Sequence, residues 1–157
     1  MEKGLFNVTI SFPSAAIANV FAEETAEEYA AALQQQSGVK KAEVNQAGTV
    51  VLTVSRSYYK TLAENTRTRF TDNLTTYVNS GDYPFISQLA YSQDMATITV
   101  TVNLTAYTRL NDGTLAPKIG AQALFYLGLT ESSAAQVQVV FVDGSTQETI
   151  DTLTYTA

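Results

Sequence analysis

The sequence predicts an α+β fold: a single, mostly antiparallel sheet of about seven strands with three helices on one face, in the order βα-ββ-α-ββ-α-ββ. Three observations lead there. The stretch from Ser55 to Ser80 carries one apolar stripe at helical spacing, too long to be hidden by the helix itself. Several segments alternate an aliphatic row with a row of Thr, Ser, Asn or Gln, as strands do when one sheet face is covered and the other is wet. Turn signals fall between these segments in pairs, so the strands come as hairpins.

In chain order, Gly4 to Phe12 sets Phe6, Val8, Ile10 and Phe12 against Asn7, Thr9 and Ser11, a half-buried strand that Pro13-Ser14 breaks. Ala15 to Phe21 reads as a short helical turn. Thr25 with Glu28 three residues later has the form of a capping box, opening a helix from Ala26 to Gln36 that ends at Ser37-Gly38 and turns Tyr29 and Leu33 inward. Val39 to Asn45 and Thr49 to Ser55 form a hairpin across Gln46-Ala47-Gly48, and the second strand runs into the long helix. There Tyr58, Leu62, Phe70, Leu74, Tyr77 and Val78 share one side, Ser55 or Ser57 caps the start, and Gly81 closes the end.

A second hairpin spans Phe85 to Tyr91 and Met95 to Asn103, where Ile98, Val100 and Val102 alternate with Thr97, Thr99 and Thr101. Leu104 to Leu110 reads equally as a helical turn or a strand extension, and Asn111-Asp112-Gly113 as a turn. Pro117 suits the first turn of a helix from Ala116 to Leu127, apolar most of the way round and expected to be the most buried of the three. Gln136 to Val142 and Gln147 to Tyr155 make a third hairpin around Asp143-Gly144-Ser145-Thr146. No linker, repeat or charge block divides the 157 residues, so one domain is expected.

Composition narrows function mainly by exclusion. The net charge of −6, with scattered basic residues, opposes a nucleic-acid partner. The chain has no Cys and no His, which removes disulfides, thiolate metal sites and the usual general base. No dinucleotide, phosphate-loop or nucleophile-elbow motif occurs, and no cofactor is expected. The acidic group Glu23, Glu24, Glu27 and Glu28 could hold a cation or serve acid–base chemistry, but carboxylates in the first turn of a helix also suit its dipole. Tyr59 and Tyr83 are candidates for exposed contact, because adjacent aromatics cannot all point inward. The Thr-rich sheet face, with Thr97, Thr99, Thr101, Gln136 and Gln138, is the one broad surface of distinct character: flat, uncharged and rich in hydrogen-bonding groups.

The segments KGLFNVTISFP (Lys3 to Pro13), VKKAEVNQAGTVVLTVSRSYYKTL (Val39 to Leu62), GDYPFISQLAYSQDMATITVTVNLTAY (Gly81 to Tyr107) and VQVVFVDGSTQETIDTLTY (Val137 to Tyr155) resemble a family of extracytoplasmic lipoproteins of unknown function from Gram-positive, gut Firmicutes-type bacteria. The resemblance implies an export signal and a lipid-modified Cys ahead of the segment matching Lys3-Gly4-Leu5, and so a domain held outside the cytoplasmic membrane by a lipid anchor. The chain departs from the family pattern in being less charged along the long helix. The resulting expectation is a non-catalytic, membrane-tethered interaction module of the cell envelope, with an envelope protein or glycan as partner. Its rivals are a carboxylate-dependent hydrolase or cation-binding domain, a structural or assembly subunit, and a cytoplasmic domain beginning at Met1.

Overall fold

The computed structural model describes residues 2–3, 6–12, 25–107, 114–130 and 136–156. Among them run β1 (Glu2–Lys3), β2 (Asn7–Phe12), α1 (Ala26–Gln34), β3 (Val39–Val44), β4 (Val50–Ser55) and α2 (Arg56–Asn79), followed by β5 (Ile86–Tyr91), β6 (Thr97–Val102), α3 (Leu115–Thr130), β7 (Gln136–Asp143) and β8 (Thr149–Thr156). The class is α+β, and most strand pairs are antiparallel.

The single sheet expected from the sequence is not what forms. The strands divide into two sheets of four, ordered β1-β2-β4-β3 and β5-β6-β7-β8, with β1 only two residues long. Helix length gives a physical reason. The 24 residues of α2 extend roughly 36 Å at 1.5 Å per residue. A six-residue strand such as β4 covers only about 20 Å. The helix therefore overshoots the sheet that feeds it and delivers β5 beyond pairing distance of β4. The second departure is the parallel pairing of β6 with β7, in register from Thr97↔Gln138 to Val102↔Asp143. These strands are joined through α3, and a helical crossover is the connection that parallel neighbours require.

Two cores result. Under the first sheet lie Val8, Ile10, Phe12, Val50, Leu52 and Val54, closed by Tyr29, Ala30 and Leu33 of α1. The second sheet buries Ile98, Val100, Val102, Val137, Val139 and Phe141. The long helix serves both, which corrects the picture of one stripe bedded on one sheet: Tyr58, Tyr59 and Leu62 pack against the first core, and Phe70, Leu74, Tyr77 and Val78 against the second. Helix α3 does the same from another side. Ile119, Ala123 and Leu127 belong to the second core, while Phe125 and Leu129 belong to the first, where Phe125 stacks on Phe12 at 4.8 Å between ring centroids. Its nine buried residues make it the most buried helix among the described residues. Gly120 permits its close approach to β8, since a Cβ there would lie 2.5 Å from Cδ2 of Tyr155.

Helix ends follow the chemistry written in the sequence. The Ser55 hydroxyl accepts from the Tyr58 N–H at 3.3 Å, and Gly81 follows α2 at φ +79°. At α1, Thr25 Oγ1 accepts from the Glu28 N–H at 3.2 Å while Glu28 Oε2 accepts from the Thr25 N–H at 2.9 Å, a reciprocal box. Those Thr25 hydrogen bonds, backbone first, lower the Glu28 pKa from its ordinary 4.5. A carboxylate with a depressed folded pKa contributes stability above its unfolded pKa and loses it as pH falls through the folded one. Thr25→Ala is therefore expected to cost about 1 kcal/mol at pH 7. Part of the difference from wild type should vanish below pH 4.5, as urea titrations across that range would check. Helix α1 ends at Gln34, two residues short of the expected Gln36. Leu104 to Tyr107 are neither helix nor strand but a turn, in which the Ala106 and Tyr107 N–H groups both donate to the Asn103 carbonyl. The expected turns at Ala15 to Phe21 and Asn111 to Gly113 lie outside the described residues.

Candidate functional site

Among the described residues, no helix packs on one side of the second sheet, and that side is an ordered array. Register places Gln88, Thr101, Val142 and Thr149 in one cross-strand row, Ala90, Thr99, Val140 and Thr152 in the next, and Thr97, Gln138 and Thr154 in a third, with Gln136 opposite Thr156 beyond. None of these side chains is ionisable. Thr97, Thr99 and Thr101 are half-buried by their neighbours, and Gln88, Gln136, Gln138, Thr152, Thr154 and Thr156 are exposed. The alternation that builds the core dictates this face: on β6 and β7 the inward positions are taken by Ile98, Val100, Val102, Val137, Val139, Phe141 and Asp143, so only hydroxyl, amide and short aliphatic groups remain outside. Four strands at about 4.8 Å spacing and roughly 20 Å length give a plane on the order of 400 Å².

The aromatics turn the other way. Tyr77, Tyr83, Phe85, Tyr107 and Phe141 form a continuous ladder, with successive centroids 5.5, 6.0, 5.6 and 5.5 Å apart. Tyr83, a sequence candidate for contact, is a half-buried rung of it, and its Oη accepts from Lys118 Nζ at 3.2 Å. That hydrogen bond is the main reason the Lys118 pKa is raised. Tyr59 is also half-buried, packed against the first core. Burial, and secondarily Tyr126, raises its phenol pKa, so it stays protonated at neutral pH.

A cleft of ≈ 300 Å³ opens where the three helices meet. Leu33, Leu62, Phe70 and Phe125 line its apolar part, and Gln36, Arg69, Asn73 and Gln122 its polar part. The polar groups are already tied to one another or to neighbours. Tyr58 Oη donates to Gln36 Oε1, Asn73 Nδ2 donates to Gln122 Oε1 at 2.7 Å, and Gln122 Nε2 donates to Tyr77 Oη at 2.9 Å. Burial raises the Tyr58 pKa, so this phenol too remains a donor. Among the described residues, the lining has no carboxylate, thiol or imidazole. Such a lining can hold an apolar group, and it supplies no nucleophile with an adjacent base.

Two of the four acidic candidates fall among the described residues. Glu27 and Glu28 are exposed at the start of α1, Glu28 engaged in its box, and Glu23 and Glu24 lie outside the described residues. Among the described residues, no three metal-ligating side chains come together. Asp143 is buried, and its carboxylate accepts from the Ser145 N–H and the Thr146 hydroxyl, both at 3.0 Å, which makes it a turn-former at the β7–β8 connection. No described helix is long and apolar enough to cross a membrane.

Sequence reasoning named the Thr97/Thr99/Thr101 and Gln136/Gln138 rows but not the parallel register that sets them side by side, nor Gln88 beside Thr101. The missing signal was the parallel β6–β7 pairing, which a crossover helix between two strands can disclose. No family model matches the chain, no curated protein matches it, and no solved structure matches its fold.

Proposed function

We propose that this domain is a non-catalytic interaction module of the bacterial cell envelope, tethered outside the cytoplasmic membrane by a lipid anchor, and that it contacts its partner through the uncharged face of the second sheet. The observation that carries the reading is the four-stranded plane without an ionisable side chain. A protein partner fits it better than a glycan. Sugar rings favour exposed aromatic faces, and the Tyr77 to Phe141 ladder is turned into the core. The plane is about half of the ~800 Å² that each partner gives to a standard interface, so binding is expected to be weak and transient. The anchor and compartment rest on the lipoprotein resemblance. An upstream reading frame with an apolar leader ending in a small-residue–Cys junction would support them.

The test is comparative capture. Immobilised wild type is expected to recover an envelope protein that Thr99→Arg/Gln138→Arg loses by at least tenfold, since a desolvated, unpaired charge in a contact costs several kcal/mol. Lys41→Ala, on the far edge of the first sheet, should leave recovery unchanged. Equal recovery by the wild type and the double arginine variant would remove the sheet face from the proposal.

A further inference from the structure

The two sheets have four edges, and three are guarded against pairing with another chain. Strand β3 carries Lys40, Lys41 and Glu43 and is interrupted by a bulge between Val39 and Lys41. The opposite edge of that sheet, β1, is only two residues long. Strand β5 has a bulge between Ile86 and Gln88, and α2 runs beside it with a cleft of ≈ 210 Å³ between them. Charge, shortness, bulges and covering helices are the devices by which edges avoid intermolecular pairing. Strand β8 uses little of this. It has eight residues, no Lys, Arg or Pro, and one charged side chain, Asp151; its register irregularity is confined to the end near Val142. Among the described residues it pairs with β7 alone.

We infer that β8 is a self-association edge, and that two copies of this chain pair through it antiparallel about a two-fold axis. The strand's own order favours a second copy as occupant. Directly opposed residues of an antiparallel pair share a face, so an axis through Leu153 sets Leu153 against itself on the core side and Thr152 against Thr154 on the open side, twice. Cross-strand Thr–Thr pairs are stabilising. Asp151 then opposes Tyr155 rather than its own counterpart. The two Asp151 positions lie four residues apart along the ladder, about 14 Å, beyond the roughly 8–10 Å over which exposed charges act at moderate salt. An axis through residue 151 would instead oppose the carboxylates directly. The paired sheets would form one eight-stranded layer with both Thr-rich faces on the same side. The inference concerns the free backbone edge of β8 and the proposed partner surface the plane of the sheet; the two share Thr152 and Thr154, so dimerisation and capture are read separately.

One strand pair buries well under the roughly 1,200–2,000 Å² of a stable complex, so a weak, concentration-dependent dimer is expected. Sedimentation velocity from about 10 µM to 1 mM should show a monomer passing to a dimer, and amide exchange in β8 should slow over the same range. Thr152→Lys/Thr154→Lys places like charges opposite one another and is expected to raise the dissociation constant at least tenfold. Thr97→Lys/Thr99→Lys, on the central strand β6, should leave dimerisation intact while abolishing partner capture. Circular dichroism confirms that each variant is folded. A wild type monomeric at 1 mM, or a Thr152→Lys/Thr154→Lys variant that dimerises as well as wild type, overturns the inference; loss of capture with dimerisation retained would bear only on the sheet face.

Discussion

Replacing Phe70 with alanine is expected to lower the free energy of unfolding by about 3–5 kcal/mol, the largest effect of any single truncation on the long helix. Phe70 is 2 % exposed, and it sits where α2 passes from the first core to the second, at the base of the three-helix cleft. Removing the ring deletes its contacts with the second core and enlarges a cleft the surrounding helices cannot easily close. Leu74→Ala, equally buried, should cost about 2–5 kcal/mol by the same route. Leu62→Ala should cost less, because Leu62 is only half-buried. Urea denaturation followed by circular dichroism would rank the three. The transition is expected to stay single for all of them, since α2 and α3 each contribute to both cores and neither core keeps its helices if the other is lost. Two separated transitions, or a Phe70→Ala midpoint equal to that of wild type, would contradict the shared-helix architecture.

The same helix shows what the sequence made legible and where it stopped. Its start at Ser55, its end before Gly81 and the residues of its stripe all follow from local rules, namely a side-chain cap, a left-handed terminus and a 3.6-residue period. Local rules also gave β2, β4, β6 and the capping box at Thr25, because alternation and capping act over a few residues. What they could not give was the partition of strands. Periodicity says that Tyr58 and Tyr77 share a side. It does not say that nineteen residues of rise, nearly 30 Å, separate the surfaces they meet. The parallel β6–β7 register was hidden for a related reason: a hairpin declares itself in its turn, whereas a crossover declares itself only through the docking of its helix. The candidate face was half legible. Its Thr and Gln rows could be read from single strands, but its being one plane depends on which strands are neighbours.

Gly38→Ala is the second substitution with a large expected effect, about 2–6 kcal/mol, and two separable causes add to give it. Gly38 sits at φ +99°, where an L side chain is strained, and such a conformation costs on the order of 1–3 kcal/mol in a non-glycine residue. A Cβ at this position would also lie 2.8 Å from the Tyr58 Cβ, closer than packed carbons approach. That neighbour is the stem of a side chain fixed on the first turn of α2, so it cannot swing away as the tip of a flexible chain would; overpacking of this kind typically costs a further 1–3 kcal/mol. The close approach has a structural purpose. The Gly38 carbonyl accepts from the Ser55 N–H at 2.8 Å, holding the end of α1 and the start of β3 against the residue that caps α2. Gly81 supplies the control, because it adopts φ +79° with open space around its missing Cβ. Gly81→Ala should therefore show the backbone cost alone, and the excess in Gly38→Ala should measure the collision with Tyr58. Equal losses in the two variants, read from urea midpoints at a common slope, would mean that α2 yields at its first turn and that the contact between α1 and α2 is softer than its geometry requires.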